Sequence, residues 1–194
     1  MNNKVQVIGI KYNRNGIFGD FKWMCAREEY ENSLFLFNDN EEYHYTCRSG
    51  AGNAIMRRYN KHSDLDIPIS AGIPTGTLAR GGYSKLTTRT KTCIDDAFKE
   101  IDELLSKYKY SRIYYSAETD GLLGTSIFRV DPDVIKYISV KIFNLSDYPV
   151  QIIKTMGLDY FSDEKFEILD DDSSSYDSDS DSDSEKDEEK KYHK

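Results

Sequence analysis

Four apolar residues in a row, Leu34-Phe35-Leu36-Phe37, stop abruptly at Asn38-Asp39-Asn40, and a glycine-containing turn, Ser49-Gly50-Ala51-Gly52-Asn53, follows shortly after. A strand that is apolar at every position has both faces covered, which is the situation of a strand inside a parallel sheet with helices on either side. The polar cluster at its end, the glycine turn and the helix start beyond it describe the carboxyl edge of an α/β sheet. That edge is where ligands of such folds bind.

The rest of the chain supports this layout. Residues 5–10 (VQVIGI) are short, β-branched and strand-forming, and residues 11–20 carry the turn chemistry of Asn13, Asn15, Gly16 and Gly19. Propensity favours a helix over residues 21–30, and the strand 34–37 comes next. A helix over 53–59 follows, with Ala54, Ile55 and Tyr59 inward and Arg57-Arg58 outward. Residues 67–71 form a short strand interrupted by Pro68, the segment 72–76 a tight connection, and the polar residues 77–91 a mobile loop or lid. Ile94, Ala97, Phe98, Ile101, Leu104, Leu105 and Tyr108 recur at the spacing of one buried helix face, and Thr92 with Asp95 has the form of a capping box. A strand over 112–116 returns to the sheet. Asp131-Pro132 opens a helix to about residue 143, with Ile135, Ile138 and Ile142 inward. Residues 148–161 and 166–169 read either as a last strand or as an arm against the domain.

Alternating strands and helices define the fold class as α/β: one three-layer domain over residues 1–169 with a mostly parallel or mixed sheet. Residues 170–194 are a separate matter. They hold 11 acidic and 4 basic side chains, most of the formal charge of −8, and have almost nothing to bury. Such a segment cannot offset its ordering entropy and is expected to be a disordered acidic tail. The remainder is nearly neutral and has no dense Lys/Arg cluster, which argues against nucleic acid as the main partner. No apolar run is long enough to span a bilayer, so no membrane partner is expected, and no signal peptide is visible. Cys25, Cys47 and Cys93 are scattered and odd in number, giving neither a disulfide framework nor a metal site. An intracellular, cytoplasmic protein without metal or cofactor is the simplest expectation.

Two glycine loops, Gly50–Asn53 and Gly121–Gly124, each follow an apolar strand. Side by side, they would turn backbone amides toward one anion; alone, each glycine merely permits a positive φ. The candidate ligand-binding residues are therefore Asn38, Gly50, Ala51, Gly52, Asn53, Gly121, Leu122, Leu123, Gly124 and Thr125. The candidate catalytic residues are Asp39, Asn40 and Asp120; Asp20 is a weaker candidate. Against them stands the ordinary role of Asx side chains in capping their own turns. Arg48 either faces a phosphate or is solvated. One of Tyr114 and Tyr115 at least belongs to the core, and His44 and His62 are expected at the surface.

The combination LFLFNDN, RSGAGNAI, AGIPTG and IYYSAETDGLLGTSI resembles a family of uncharacterised phage and large-virus proteins. In that family a strand ends in F-G-D-N and is followed by G-x-G-G-x-A, G-I-P-T and a D-G-x-G-T-G loop. The likeness covers roughly residues 30–145. The chain departs from it at Asn38, in a longer segment 41–48, and at Ser126. More distantly, the order of motifs is similar to that of macro domains, which bind ADP-ribose. Asn38-Asp39-Asn40 would match their N-A-A-N, with Asp39 in place of alanine. Gly50–Ile55 would match the glycine loop, and Thr119–Gly124 the S-T-G-I-x-G loop. This resemblance implies a macro-domain-like fold, Asn40 near the distal ribose and the glycines along a diphosphate. The expected function is a module for ADP-ribose or a related nucleotide. Any turnover would be hydrolysis at the distal ribose, with Asp39 or Asp120 activating water. The alternative is a non-catalytic interaction protein whose acidic tail, residues 170–194, contacts basic protein partners; its Ser-Asp repeats suit acid-directed kinases. A third possibility is a crevice filled by the loop 77–91.

Overall fold

The computed structural model describes residues 5–125 and 129–153. The sequence's strand 34–37 is the middle of a longer one. β2 runs over Ser33–Asn40 and is flanked on one side by β3 (Ser70–Thr77) and on the other by β5 (Arg112–Ser116). β1 (Gln6–Ile10) lies beyond β5, and β6 (Gln151–Ile153) lies beyond β1. These five strands are parallel, while the short β4 (Gly81–Gly82) pairs antiparallel with the end of β3. The protein is therefore α/β with a six-stranded mixed sheet. Phe35 sits between Ser70 and Tyr114 across the sheet, and its ring stacks on that of Tyr114 with centroids 5.4 Å apart.

Period-two alternation sorts the strand residues onto two faces. Val7, Leu34, Leu36, Ile113 and Tyr115 pack against α2 (Thr88–Lys107) and α3 (Pro132–Phe143). Ile8, Ile10, Phe35, Phe37 and Tyr114 pack on the other face against α1 (Phe21–Met24) and a 3₁₀ helix, Gly52–Tyr59. The LFLF run is apolar throughout because each of its faces meets a separate core. Tyr114 and Tyr115 are both core, one on each side.

α2 buries Ile94, Ala97, Phe98, Ile101 and Leu104, the face read from the spacing, with Leu105 and Tyr108 partly covered. Its cap is not Thr92. Thr87 Oγ1 accepts the Thr90 N–H at 3.1 Å, and Thr92 is already helical, its hydroxyl bonded back to Thr88 O. α3 starts where the Asp131-Pro132 signal places it, with the Asp131 carboxylate accepting the Asp133 N–H.

Three segments differ from the reading by propensity. The helix over 21–30 is only α1, capped by Asp20, followed by a 3₁₀ turn at Glu28–Tyr30. Phe21, Met24 and Tyr30 are the residues this short connection buries. The strand expected over 67–71 lies further on, at Ser70–Thr77, and absorbs the expected tight connection 72–76. Pro74 is tolerated there because β4 pairs with β3 only from Gly76 onward, so the outer side of β3 at Pro74 is an edge. The supposed lid 77–91 resolves into the β3–β4 hairpin and the start of α2. Residues 151–153 supply the last strand of the reading over 148–161; residues 154–161, segment 166–169, Ser126 and the acidic tail 170–194 lie outside the described residues. Among the described residues no helix is long and apolar enough to cross a membrane.

Truncating Ile101 to alanine removes a fully buried side chain from beneath α2. The loss of contacts plus the cavity left behind should lower stability by about 2–5 kcal/mol, measured as a fall in the urea midpoint with an unchanged slope.

Candidate functional site

All parallel strands end on the same edge, so the segments after β1, β2, β3 and β5 meet there. They enclose a cavity of about 370 Å³, a size found among small-molecule sites. Tyr12 and Arg14 come from the segment after β1, Asn38–Asn40 from β2, and Tyr43 and Arg48–Ala54 from the crossover to β3. The β3–β4 hairpin contributes Thr75–Leu78 with Gly81 and Gly82, and the segment after β5 contributes Thr125. The hairpin forms a wall of the cavity and does not fill it.

Of the sequence candidates, Asn38, Asp39, Asn40, Gly50, Ala51, Gly52, Asn53 and Thr125 line this cavity. Asp120, Gly121, Leu122, Leu123 and Gly124 do not. Asp120 is exposed and its carboxylate accepts the Leu122 N–H at 3.0 Å, so the Asp-Gly pair is a self-capped turn with Gly121 at φ +86°. Gly121 O accepts the Tyr115 hydroxyl at 2.7 Å, and the Leu123 N–H donates to Ser139 Oγ at 2.9 Å. The second glycine loop is thus turned toward α3 and the sheet, and its amides are not offered to the cavity. It still reaches the site from behind: Asn38 Nδ2 donates to Gly124 O at 2.8 Å.

The first glycine loop is placed differently. Gly52, at φ +58°, opens the 3₁₀ helix, and the first amides of a helix have no partner within it. The Tyr12 hydroxyl and the Arg14 guanidinium lie just outside Gly52. Burial pushes the Tyr12 phenol up, and Arg14 pulls it part of the way back. Arg48, exposed at the mouth, donates to the Tyr43 hydroxyl at 3.0 Å.

The residue the sequence placed wrongly is Arg57. It does not face outward with Arg58; it is 2% exposed and is the largest fully buried side chain among the described residues. In the 3₁₀ helix Ala54 and Arg57, three residues apart, stack in one row, and the guanidinium is turned to the partners that β2 and the glycine loop present to it. Arg57 Nε donates to Asp39 Oδ1 at 2.8 Å, Nη2 donates to the same oxygen, and Nη1 donates to Arg48 O at 2.6 Å. The Asn40 N–H also donates to Asp39 Oδ1, at 2.8 Å. Gly72 has no Cβ where the other carboxylate oxygen, Oδ2, packs against β3. Asp39 is consequently sealed from solvent and paired, a poor position for activating water, and it is the only carboxylate among the described residues that line the cavity.

His44 is also buried, not at the surface. Its Nδ1 lies 3.7 Å from Asp39 Oδ2 and its Nε2 3.7 Å from Glu100 Oε2 on α2. His62 is exposed, as expected, and lies near the same Glu100; partial desolvation lowers its pKa. Asp20, the weaker acid candidate, is the cap of α1. Tyr12, Arg14 and Tyr43 were missed because nothing in a single chain says which loops a sheet gathers. Arg14 had one signal: it follows the end of a strand.

Six of the seven buried side-chain polar atoms without a hydrogen-bond partner among the described residues lie between Asn38 and Asn53. They are Asn38 Oδ1, Asp39 Oδ2, Asn40 Oδ1, both nitrogens of His44 and Asn53 Oδ1. The Asn38 amide is fixed in orientation, since Gly124 O can only accept, and Asn53 Nδ2 faces Ser116 Oγ at 2.5 Å. A desolvated, unpaired acceptor costs about 1–3 kcal/mol, so the cost is concentrated at this edge of the sheet, and of these residues Asn38, Asp39, Asn40 and Asn53 also line the cavity.

No protein-family model matches the chain, and no curated protein or solved structure matches it. The buried pair gives a direct test of the site's scaffold. Arg57→Met leaves Asp39 without its counter-charge and should cost about 3–5 kcal/mol in chemical denaturation, whereas adding Asp39→Asn to it should recover part of that loss.

Proposed function

We propose that this chain is a binding module for a phosphate-bearing nucleotide of the ADP-ribose type, held in the cavity at the carboxyl edge of the sheet. The observation that carries this reading is the chemical split of that cavity. Its mouth holds Arg14 and Arg48 beside the amides that open the 3₁₀ helix at Gly52, which suits an anion. Elsewhere Asn38, Asn40 and Asn53 line it with carboxamides, neutral where the mouth is cationic. The macro-domain-like order of motifs agrees with this division, with Asn38–Asn40 and Gly50–Asn53 in the binding role.

Recognition is what the cavity equips the protein to do. Arg57 holds the one carboxylate lining it, and Asp120, the other acid considered for hydrolysis, lies outside it. Positioning without a free acid or base supports binding more than turnover.

Thermal-shift measurements with ADP-ribose, AMP, ATP and NAD test the proposal. A ligand at a hundred times its dissociation constant should stabilise the protein by about 2.7 kcal/mol and raise Tm by several degrees. Arg14→Ala should weaken the affinity for any ligand found by about tenfold or more while leaving the unliganded Tm close to wild type. No shift with any of the four would overturn the reading.

A further inference from the structure

The two guanidiniums at the mouth of the cavity are held by phenols. Arg48 Nη1 donates to the Tyr43 hydroxyl at 3.0 Å, and its guanidinium carbon lies 4.9 Å from the centroid of the Tyr43 ring. The main chain of Arg48 is fixed as well, because the buried Arg57 donates to its carbonyl and lies over the same ring at 5.3 Å. From the segment after β1, Arg14 lies beside the Tyr12 hydroxyl, both just outside Gly52. A carboxylate partner would cancel the charge of a guanidinium; a neutral phenol orients it and leaves the charge in place.

The acids around the mouth are committed to other partners. Asp39 is bonded to Arg57, Glu41 to the Tyr83 hydroxyl and Arg89, and Glu42 accepts the Leu78 N–H at 3.0 Å. Asp20, whose charge reaches Tyr12, accepts the N–H groups of Gly16, Lys22 and Trp23. Residues 126–128, which follow Thr125 of the lining, are Ser-Ile-Phe and carry no carboxylate.

From this we infer that Tyr12 and Tyr43 are positioning residues that hold Arg14 and Arg48 as two un-neutralised cations, and that the group they take carries two negative charges, as a phosphate monoester or a diphosphate does. The inference rests on the nucleotide reading above and names the charge that the same site selects. Two separate segments each supply a cation with its own phenol, so the device is built twice at one mouth. A singly charged phosphodiester leaves one guanidinium without an anion. A guanidinium that has lost its phenol must be ordered when the ligand arrives, which weakens binding without removing the charge.

Calorimetric titration of the full chain with AMP, ADP-ribose, 3′,5′-cyclic AMP and adenosine tests this. AMP and ADP-ribose should bind; cyclic AMP, with the same base and sugar but one charge, should be about tenfold or more weaker than AMP, and adenosine weaker still. Tyr43→Phe keeps the ring and removes the hydroxyl. It should weaken AMP about threefold or more in the wild-type chain and add nothing to the loss caused by Arg48→Ala. Tyr12→Phe should behave in the same way toward Arg14→Ala. A merely structural tyrosine would cost the same with or without its arginine, so the paired variants separate the two roles. Should cyclic AMP bind as tightly as AMP, or should either Tyr→Phe change cost nothing or cost as much without its arginine as with it, the inference falls while the nucleotide site stands. Silence from AMP and ADP-ribose on the wild-type chain would remove both the inference and the reading beneath it.

Discussion

The ion pair between Arg57 and Asp39 is the interaction on which the site depends. A buried guanidinium and a buried carboxylate are each costly alone, and together they hold three pieces of chain in one arrangement. Asp39 is on β2, Arg57 is on the 3₁₀ helix, and the carbonyl that Arg57 also binds belongs to Arg48, at the beginning of the glycine loop. The crossover from β2 to β3 contains no α-helix to stiffen it. Its shape is set instead by this pair, by Asn60 Nδ2 donating to Thr46 O, and by Ser70 Oγ donating to Met56 O. A cavity wall made of irregular chain thus gains the rigidity that a helix would otherwise supply.

The same interaction separates structural from functional charge. Asp39, which by type and position looks like a catalytic acid, is committed to the scaffold. The asparagines on either side of it alternate to the other face of β2 and keep their oxygens unpaired. Further out, Glu41 joins the Tyr83 hydroxyl at 2.7 Å and Arg89 at 2.6 Å, tying the β3–β4 hairpin and α2 to the end of β2. Burial and Glu41 both push the Cys93 thiol up, so that neighbourhood is an anchor and not a reactive centre. The polar surroundings of the cavity are built largely to hold loops, and the cations left facing its mouth, Arg14 beside Tyr12 and Arg48 on Tyr43, are held by phenol groups and not by carboxylates.

Much of the fold was legible wherever one periodic pattern ran long enough. The buried stripe of α2 and the Asp-Pro opening of α3 are local signals, repeated over several turns or stated by two adjacent residues. The LFLF run carried the sheet, because only a strand covered on both faces tolerates four apolar residues in succession. Boundaries were less legible. The strand over 70–77 contains Gly72, Pro74 and Gly76, which read locally as a turn; they are tolerated because the pairing of β2 on one side imposes the extended conformation. Residues 21–30 have helical propensity beyond the four residues that form α1, and the demand for an early return to β2 overrides it.

The sequence by itself determined the alternation of strands and helices, the two-faced core, and the sheet edge at which the cavity opens. It did so because hydrophobic period and turn chemistry are properties of neighbouring residues. Only the tertiary structure decided which polar residues are free. Arg57 turned inward to Asp39 and to Arg48 O, and it thereby tied Asp39 into the scaffold. Asp120 capped its own turn and left the site, while Arg14 and Tyr43, unremarkable in sequence, were carried into it by the strands they follow. Whether a charged group is available or spent depends on its partner, and partners eighteen or more residues apart are chosen by packing, which no local pattern encodes.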